Sequence, residues 1–256
     1  LTHIVRELSQ SEFQPEDYEL RIQEGCEIQP LVIALPGGGS VEIEGKVDRV
    51  DVMRRHGNSY VRVIDYKTGS KEFRLSDVLY GLNMQMLLYL AAIWKNGGER
   101  YGNVVPAGVL YMPANRPVIN SERGDTEEKV IKEQDKKLRM SGLVLDDPEV
   151  ISGMEHKAQG VFIPVALKDG HPAKLDAVAN FAQMGHIVKY MESLVVKMAM
   201  SLQKGDIAAV PASGEYEACD WCPYRSVCRH EDGGDTRIVE KWDREQVMKR
   251  LEEEEK

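Results

Sequence analysis

Two aspartates and a lysine sit on short, largely apolar strands of a kind that normally excludes charge. Asp48 lies in VEIEGKVDRVDVM, and Asp65 and Lys67 lie in YVRVIDYK, two runs of alternating β-branched residues that read as strands. Residues two apart on a strand face the same side, so Asp65 and Lys67 project together. Asp48 comes 17 residues before Asp65, across the turn signal HGNS at 56–59, which makes it a cross-strand neighbour. Burying a carboxylate is costly unless it is paired or bound to a cation. Two carboxylates and an ammonium converging at one sheet end suit metal-assisted phosphodiester hydrolysis. Hard oxygen ligands bind Mg²⁺ or Mn²⁺ and leave positions open for water and phosphate. The metal acidifies bound water and neutralises charge developing on the phosphate. The backbone carbonyl of Tyr66 is a candidate further ligand, Glu19 on the preceding strand a candidate extra carboxylate, and Lys67 a compact charge suited to handling the attacking water. A bare DxK is more often a surface ion pair, so the wider pattern must decide.

A second group of reactive residues is Cys219, Cys222 and Cys228, a C-x2-C-x5-C in CDWCPYRSVC. Three thiolates so spaced cannot all belong to intramolecular disulfides. They suit a zinc site or a [4Fe–4S] cluster, and spacing alone does not choose between them. Cys26, the fourth cysteine, reads as a packed residue between two strands.

These residues need elements to hold them. The patterning predicts a helix end over residues 1–11 and strands over 16–24, 29–35, 41–53 and 60–66, forming an antiparallel meander. A long, nearly all-apolar helix follows over 76–95 with Ser76 as its N-cap, and then a strand over 104–112. Strands followed by helix and strand give an α/β mixed sheet with helical cover. Residues 121–140 read as a solvated charged segment, 161–167 as a short strand and 175–203 as a long helix. Three regions are expected: a body over 1–205, a Cys-rich segment over 206–235 and a charged helix or tail over 236–256.

Composition narrows the partners. The net charge of −9 over 256 residues argues against a broad basic grip on nucleic acid. It does not argue against DNA chemistry at a carboxylate site, where metal supplies the positive charge. No run approaches the roughly 18 apolar residues of a membrane span, and LTHIVRELSQ has no signal-like character, so a cytoplasmic location is expected. Leu1 opens the chain in what reads as mid-helix, as a fragment of a longer polypeptide would. GxxxxGK[ST] is absent, so ATP hydrolysis would fall to a partner.

Asp48 followed by Asp65-Tyr66-Lys67 resembles the D…DxK core of the PD-(D/E)xK nuclease superfamily. GKVDRVD…VIDYKTG…GLNMQMLLYL is similar, more narrowly, to its RecB-like branch, whose QxxxY helix here carries Gln85 and Tyr89, one turn apart on one face. SEFQPEDYELRI, SGLVLDDPEVISGM and GDIAAVP extend the similarity over nearly the whole chain. The resemblance implies a restriction-endonuclease-like fold and a Mg²⁺-dependent DNA exonuclease of a bacterial helicase–nuclease, working on a single strand unwound from a duplex end in double-strand break repair and recombination. It implies Asp48, Asp65 and the Tyr66 carbonyl as metal ligands, Lys67 as the catalytic lysine, and Gln85 and Tyr89 beside the core and the DNA, with Lys71 near phosphate. It further implies that Cys219, Cys222 and Cys228 join a distant upstream Cys around a [4Fe–4S] cluster that staples the domain, and that a helicase–nuclease subunit is the partner. The family's upstream metal-binding His has His3 as its candidate here. The alternatives are an inactive nuclease-like DNA-binding or assembly module, and a phage or CRISPR-associated RecB-like exonuclease.

Overall fold

The computed structural model describes residues 2–69, 72–115, 117–120, 122, 124–228, 230 and 234–253. Helix α1 (Thr2–Gln10) leads into β1 (Gln14–Ile22), β2 (Leu31–Ala34), β3 (Ser40–Ile43), β4 (Gly45–Arg55) and β5 (Asn58–Lys67). Then come α2 (Leu75–Val78), α3 (Gln85–Asn96), α4 (Gly98–Tyr101), β6 (Val104–Pro113), α5 (Glu127–Leu138), β7 (Ser141–Leu145) and α6 (Pro148–Met154). The short strands β8 (Leu167–Lys168), β9 (His171–Pro172) and β10 (Val178–Ala179) precede the long α7 (Phe181–Gln203). β11 (Ala212–Gly214), a 3₁₀ turn at Ala218–Trp221, β12 (Arg237–Val239) and α8 (Arg244–Glu253) complete the chain.

A six-stranded mixed sheet, ordered β1-β4-β5-β6-β7-β10, is the frame. β1, β4 and β5 pair antiparallel; β6 lies parallel to β5 after a crossover through α2 and α3. This is the α/β mixed sheet with helical cover that the patterning predicted. The β4–β5 hairpin closes through His56 and Gly57, both at positive φ, the conformation a tight two-residue hairpin needs. α3 buries Met86 through Ile93 against β5 and β6, as expected of a helix apolar on every side.

Several expectations change. The strand over 41–53 divides at Glu44: β3 pairs with β2 in a separate two-stranded sheet, and β4 joins the main sheet. The helix over 76–95 breaks into α2 and α3, with Gly81 (φ 78) and Asn83 (φ 55) left-handed between them. Ser76 is therefore inside α2, and Arg74 occupies the N-cap without a side-chain bond. Of the strand expected over 161–167 only Leu167 is extended, as the first residue of the two-residue β8. The Glu155 carboxylate accepts the backbone N–H groups of Gln159, Val161, Phe162 and Ile163, and so takes the donors a ladder would use. Residues 175–203 are helical only from Phe181, where Asn180 and Gln183 form a reciprocal capping box.

Candidate active site

The register of the hairpin decides what meets. Arg49 lies opposite Ile64, and one step further along the ladder Asp48 faces Asp65. Asp48 Oδ2 accepts the Tyr66 N–H at 3.0 Å, tying the first carboxylate to the middle of the Asp65-Tyr66-Lys67 triplet. Asp65 Oδ2 pairs with Lys67 Nζ, the side chains being 16% and 26% exposed. That oxygen is shielded from solvent and has no hydrogen bond of good geometry. The Asp48 and Asp65 carboxylates, tied together through the Tyr66 backbone, are hard oxygen donors of the kind that suit Mg²⁺ or Mn²⁺.

Lys67 Nζ lies 5.3 Å from the ring centroid of Tyr111, the residue opposite Asp65 on β6. Burial, and then the charges of Asp65 and Asp77, push the Tyr111 hydroxyl up to about 12, so it stays neutral beside the lysine. On α3, Gln85 Nε2 donates to Tyr89 Oη at 3.0 Å. Gln85 is exposed, whereas Tyr89 is buried with its hydroxyl over Gly45, the first residue of β4. A Cβ built on Gly45 would overlap Tyr89 Oη, so the glycine makes the space that seats the tyrosine against the strand of Asp48.

Other predicted positions fall elsewhere. Glu19 is exposed, adopts φ 54, and places its carboxylate 2.6 Å from Lys46 Nζ. The Lys46 hydrogen bond holds that carboxyl below its usual range. The inward positions of β1 are Pro15 and Asp17 before Glu19 and Leu20 and Ile22 after it, so this residue is where the strand changes phase. Among the described residues no three His, Cys, Asp or Glu side chains gather as a metal site, and Glu19 does not complete one with Asp48 and Asp65. His3 faces Asp135 at 3.4 Å and the Phe162 ring at 5.0 Å, and burial lowers its pKa. Its helix docks on the sheet face opposite to Asp65. Lys71 lies outside the described residues.

Cys219 and Cys222 are half-buried, Cys228 is exposed, and none is in a disulfide. The three do not form a metal-binding group among the described residues. Cys26 does not gather with them as a metal-binding group among the described residues. Its neighbours Gln29 and Pro30 are bonded by Asn96 at the end of α3, while the Cys segment docks ahead of the start of that 12-residue helix, roughly 18 Å away along its axis.

The docking is specific. Tyr216 Oη donates to Asp77 Oδ2 at 2.5 Å, Arg74 pairs with Glu215 at 3.1 Å, and Trp242 Nε1 donates to Tyr80 Oη at 2.9 Å. A groove of about 910 Å³ opens between this segment and the exit of β5, with Gly69 on one wall and Trp221 on the other. Trp221 is 91% exposed.

One buried network had no counterpart among the motifs. On the face opposite to Asp48 and Asp65, Arg49, Asp51 and Arg62 meet Glu7 of α1, all four nearly inaccessible. Arg62 bonds Glu7 at 2.6 Å and Asp51 at 2.8 Å, and Arg49 donates to Tyr66 Oη at 3.0 Å. Burial opposes the Arg49 charge, but the carboxylates of Asp51 and Glu7 outweigh it and raise its pKa. The signal was present: charge on an apolar strand, the same anomaly that exposed Asp48, recurring on alternate residues.

Comparison with known proteins gives the same direction. Residues 1–229 match the model of the PD-(D/E)XK nuclease superfamily. The chain is similar to an ATP-dependent helicase/deoxyribonuclease subunit of Clostridium acetobutylicum, 34% identical over 258 residues, covering 98% of this chain and 22% of that protein. It is similar to the protein of the same description from Caldanaerobacter subterraneus subsp. tengcongensis, 36% identical over 244 residues, covering 93% of this chain and 21% of that protein. The chain thus spans about a fifth of the length of the curated relatives it matches. Since the superfamily match takes in both site-bearing strands, the helix of Gln85 and Tyr89 and all three clustered cysteines, the chain belongs to the PD-(D/E)XK nuclease superfamily.

Proposed function

We propose that this chain is the metal-dependent DNA exonuclease domain of an AddAB-type helicase–nuclease, hydrolysing phosphodiester bonds during double-strand break repair and recombination. The observation that carries the reading is the meeting of Asp48, Asp65 and Lys67 at the end of the β4–β5 ladder, with Asp65 Oδ2 shielded from solvent against the Lys67 ammonium.

Asp48, Asp65 and the Tyr66 carbonyl would hold Mg²⁺ or Mn²⁺, which when bound supplies an acidified water and a counter-charge for the phosphate. Asp48 keeps the triplet in register by accepting the Tyr66 N–H. Lys67 holds its ammonium at the carboxylate edge, where it orients the attacking water and meets charge developing on the phosphate. Tyr111 walls the lysine from the β6 side. Gln85, exposed and anchored through Tyr89, presents an amide to the DNA strand. Lys71 would be an outer contact for phosphate.

The partners are a single DNA strand unwound from a duplex end and an AddA-like helicase–nuclease subunit in the cytoplasm. The described residues contain no helix long and apolar enough to cross a membrane. In the longer protein, Cys219, Cys222 and Cys228 supply three ligands of a [4Fe–4S] cluster, so that 206–235 acts as a closing segment on the body of 1–205, with 236–256 as its helical tail.

The test is cleavage of single-stranded DNA by the full-length protein with Mg²⁺. Lys67→Ala should lower kcat by about 10²–10⁴-fold. Unchanged cleavage by that variant would remove the catalytic assignment.

A further inference from the structure

The connector between the Asp65-Tyr66-Lys67 strand and the Gln85 helix contains a buried acid that the proposed chemistry does not use. Asp77 is 2% exposed. Its Oδ2 accepts Tyr216 Oη and Asn83 Nδ2, each at 2.5 Å. Its backbone carbonyl accepts the N–H groups of Tyr80 at 3.0 Å and Leu82 at 2.9 Å. One residue thus folds the connector and bonds to the segment that carries the cysteines.

We propose that Asp77 is a positioning residue that couples the Cys-bearing C-terminal segment to the active site, through the bonds of Tyr216 and Asn83 to its one carboxylate oxygen. The inference rests on the nuclease reading for what is positioned. Asn83 is left-handed at φ 55 and lies two residues ahead of Gln85, so the Asp77 bond sets the direction in which α3 starts. The connector is otherwise tightly seated: a Cβ on Gly81 would lie 2.5 Å from Met198 Cε of α7, and Tyr190 Oη donates to the Leu79 carbonyl at 2.9 Å. With the α7 side fixed, the C-terminal side is where the connector can be released.

Besides the packing of α8 on α2, two further polar contacts among the described residues reach the connector from the C-terminal segment, and they are not equivalent to this one. Arg74 and Glu215 are 41% and 40% exposed, and an ion pair so open to water contributes little. Tyr80 Oη accepts from Trp242 Nε1 and the Glu240 N–H, beyond the cysteines in sequence. Asp77–Tyr216 alone joins a buried charge to a residue three positions before Cys219. A hydrogen bond to a buried charge is among the stronger kinds, and removing the donor leaves the carboxylate partly unsatisfied. Burial and then the bond to Asp77 push the Tyr216 hydroxyl up to about 12, which keeps it a donor. Asp77 also contributes to the field that keeps Tyr111 neutral beside Lys67.

The experiment compares hydrogen exchange and cleavage kinetics in the full-length protein. Tyr216→Phe, which removes one oxygen, should speed exchange of the 79–86 and 217–222 amides on the order of tenfold while β4 and β5 stay protected. It should lower kcat about tenfold with KM for DNA unchanged. Asp77→Asn keeps an acceptor oxygen and should give smaller changes of the same kind. Glu215→Gln, in the exposed pair, should match wild type in both. Wild-type exchange at 79–86 in Tyr216→Phe would overturn the coupling, as would faster exchange spread uniformly through the sheet. Faster local exchange with unchanged kcat would overturn the positioning role. The exchange comparison needs no catalysis and decides the coupling even if the wild type cleaves no DNA, a result that would count against the nuclease reading instead.

Discussion

At the scale of single residues, the site depends on close fits as much as on charges. Gly45 is the clearest case, because Tyr89 Oη occupies the volume of its missing side chain. Gly45→Ala should destabilise the protein by about 1–3 kcal/mol through overpacking, measurable as a shift in denaturant midpoint. Placing Gly45→Ala in a Tyr89→Ala background should recover part of that loss, because the ring carbons Cζ and Cε1 as well as Oη crowd the added Cβ. Failure of the second change to recover any would mean that backbone conformation, not the tyrosine, fixes this position. Tyr216 predicts a pH dependence. Its hydroxyl is raised to about 12 in the folded chain, above its ordinary value of 10.0, because the native state holds it neutral as a donor to a buried acid. The resulting stabilisation is fully present below pH 10 and is lost as pH rises through about 12. Alkaline unfolding followed by tyrosinate absorbance should therefore be less steep in Tyr216→Phe, and identical curves would contradict the bond.

At the scale of elements, the β4–β5 hairpin is held from behind. Glu7 of α1 inserts between Arg49 and Arg62, and Arg49 reaches Tyr66, the middle residue of the triplet. Glu7→Ala would strand two buried guanidiniums with only Asp51 to balance them, at a cost of about 3–5 kcal/mol in a thermal or denaturant unfolding experiment. A change below about 1 kcal/mol, on the scale of exposed pairs, would show that water enters the network. Much of this layer was legible in advance. The β4 and β5 strands, the hairpin turn, the apolar helix and the strand that follows it are all where alternation and helical spacing put them. The breaks were not legible. A period-two run cannot show that Glu44 separates two sheets, since both halves alternate alike. The all-apolar stretch hid the interruption at Gly81 and Asn83, because burial on every side removes the periodicity that would mark a loop. The unformed part of the strand at 161–167 reflects a competition that no local pattern records: Glu155, several residues upstream, captures the backbone donors.

At the scale of the whole molecule, the cysteine segment is attached to the connector by hydrogen bonds that do not involve its thiols. Apolar side chains along it stay open, with Ile207 94%, Trp221 91% and Val227 74% exposed. The cluster reading predicts that full-length protein purified without oxygen contains iron in a ratio of about four per chain, and that Cys222→Ser loses most of it. Stoichiometric zinc without iron would replace the cluster with a zinc staple. Because Tyr216 docks through Asp77, the segment should stay closed on the body in the metal-free Cys222→Ser protein, which limited proteolysis within 206–230 would check.

The sequence by itself determined the chemistry on offer. Charge at Asp48, Asp65 and Lys67 within apolar strands, the Gln85–Tyr89 spacing and the three close cysteines are local features, and each follows from residue type and short-range period. Only the tertiary structure decided which of them meet. Ladder register set Asp48 opposite Asp65, the phase change at Glu19 turned that carboxylate out to Lys46, and helix docking sent His3 to Asp135 on the reverse face. The same docking buried Glu7 and Asp77, two acids whose partners lie 42, 55 and 139 residues away in sequence. Contacts at such separations depend on how sheets and helices pack, a many-body outcome of burial and hydrogen-bond satisfaction that no window along the chain contains.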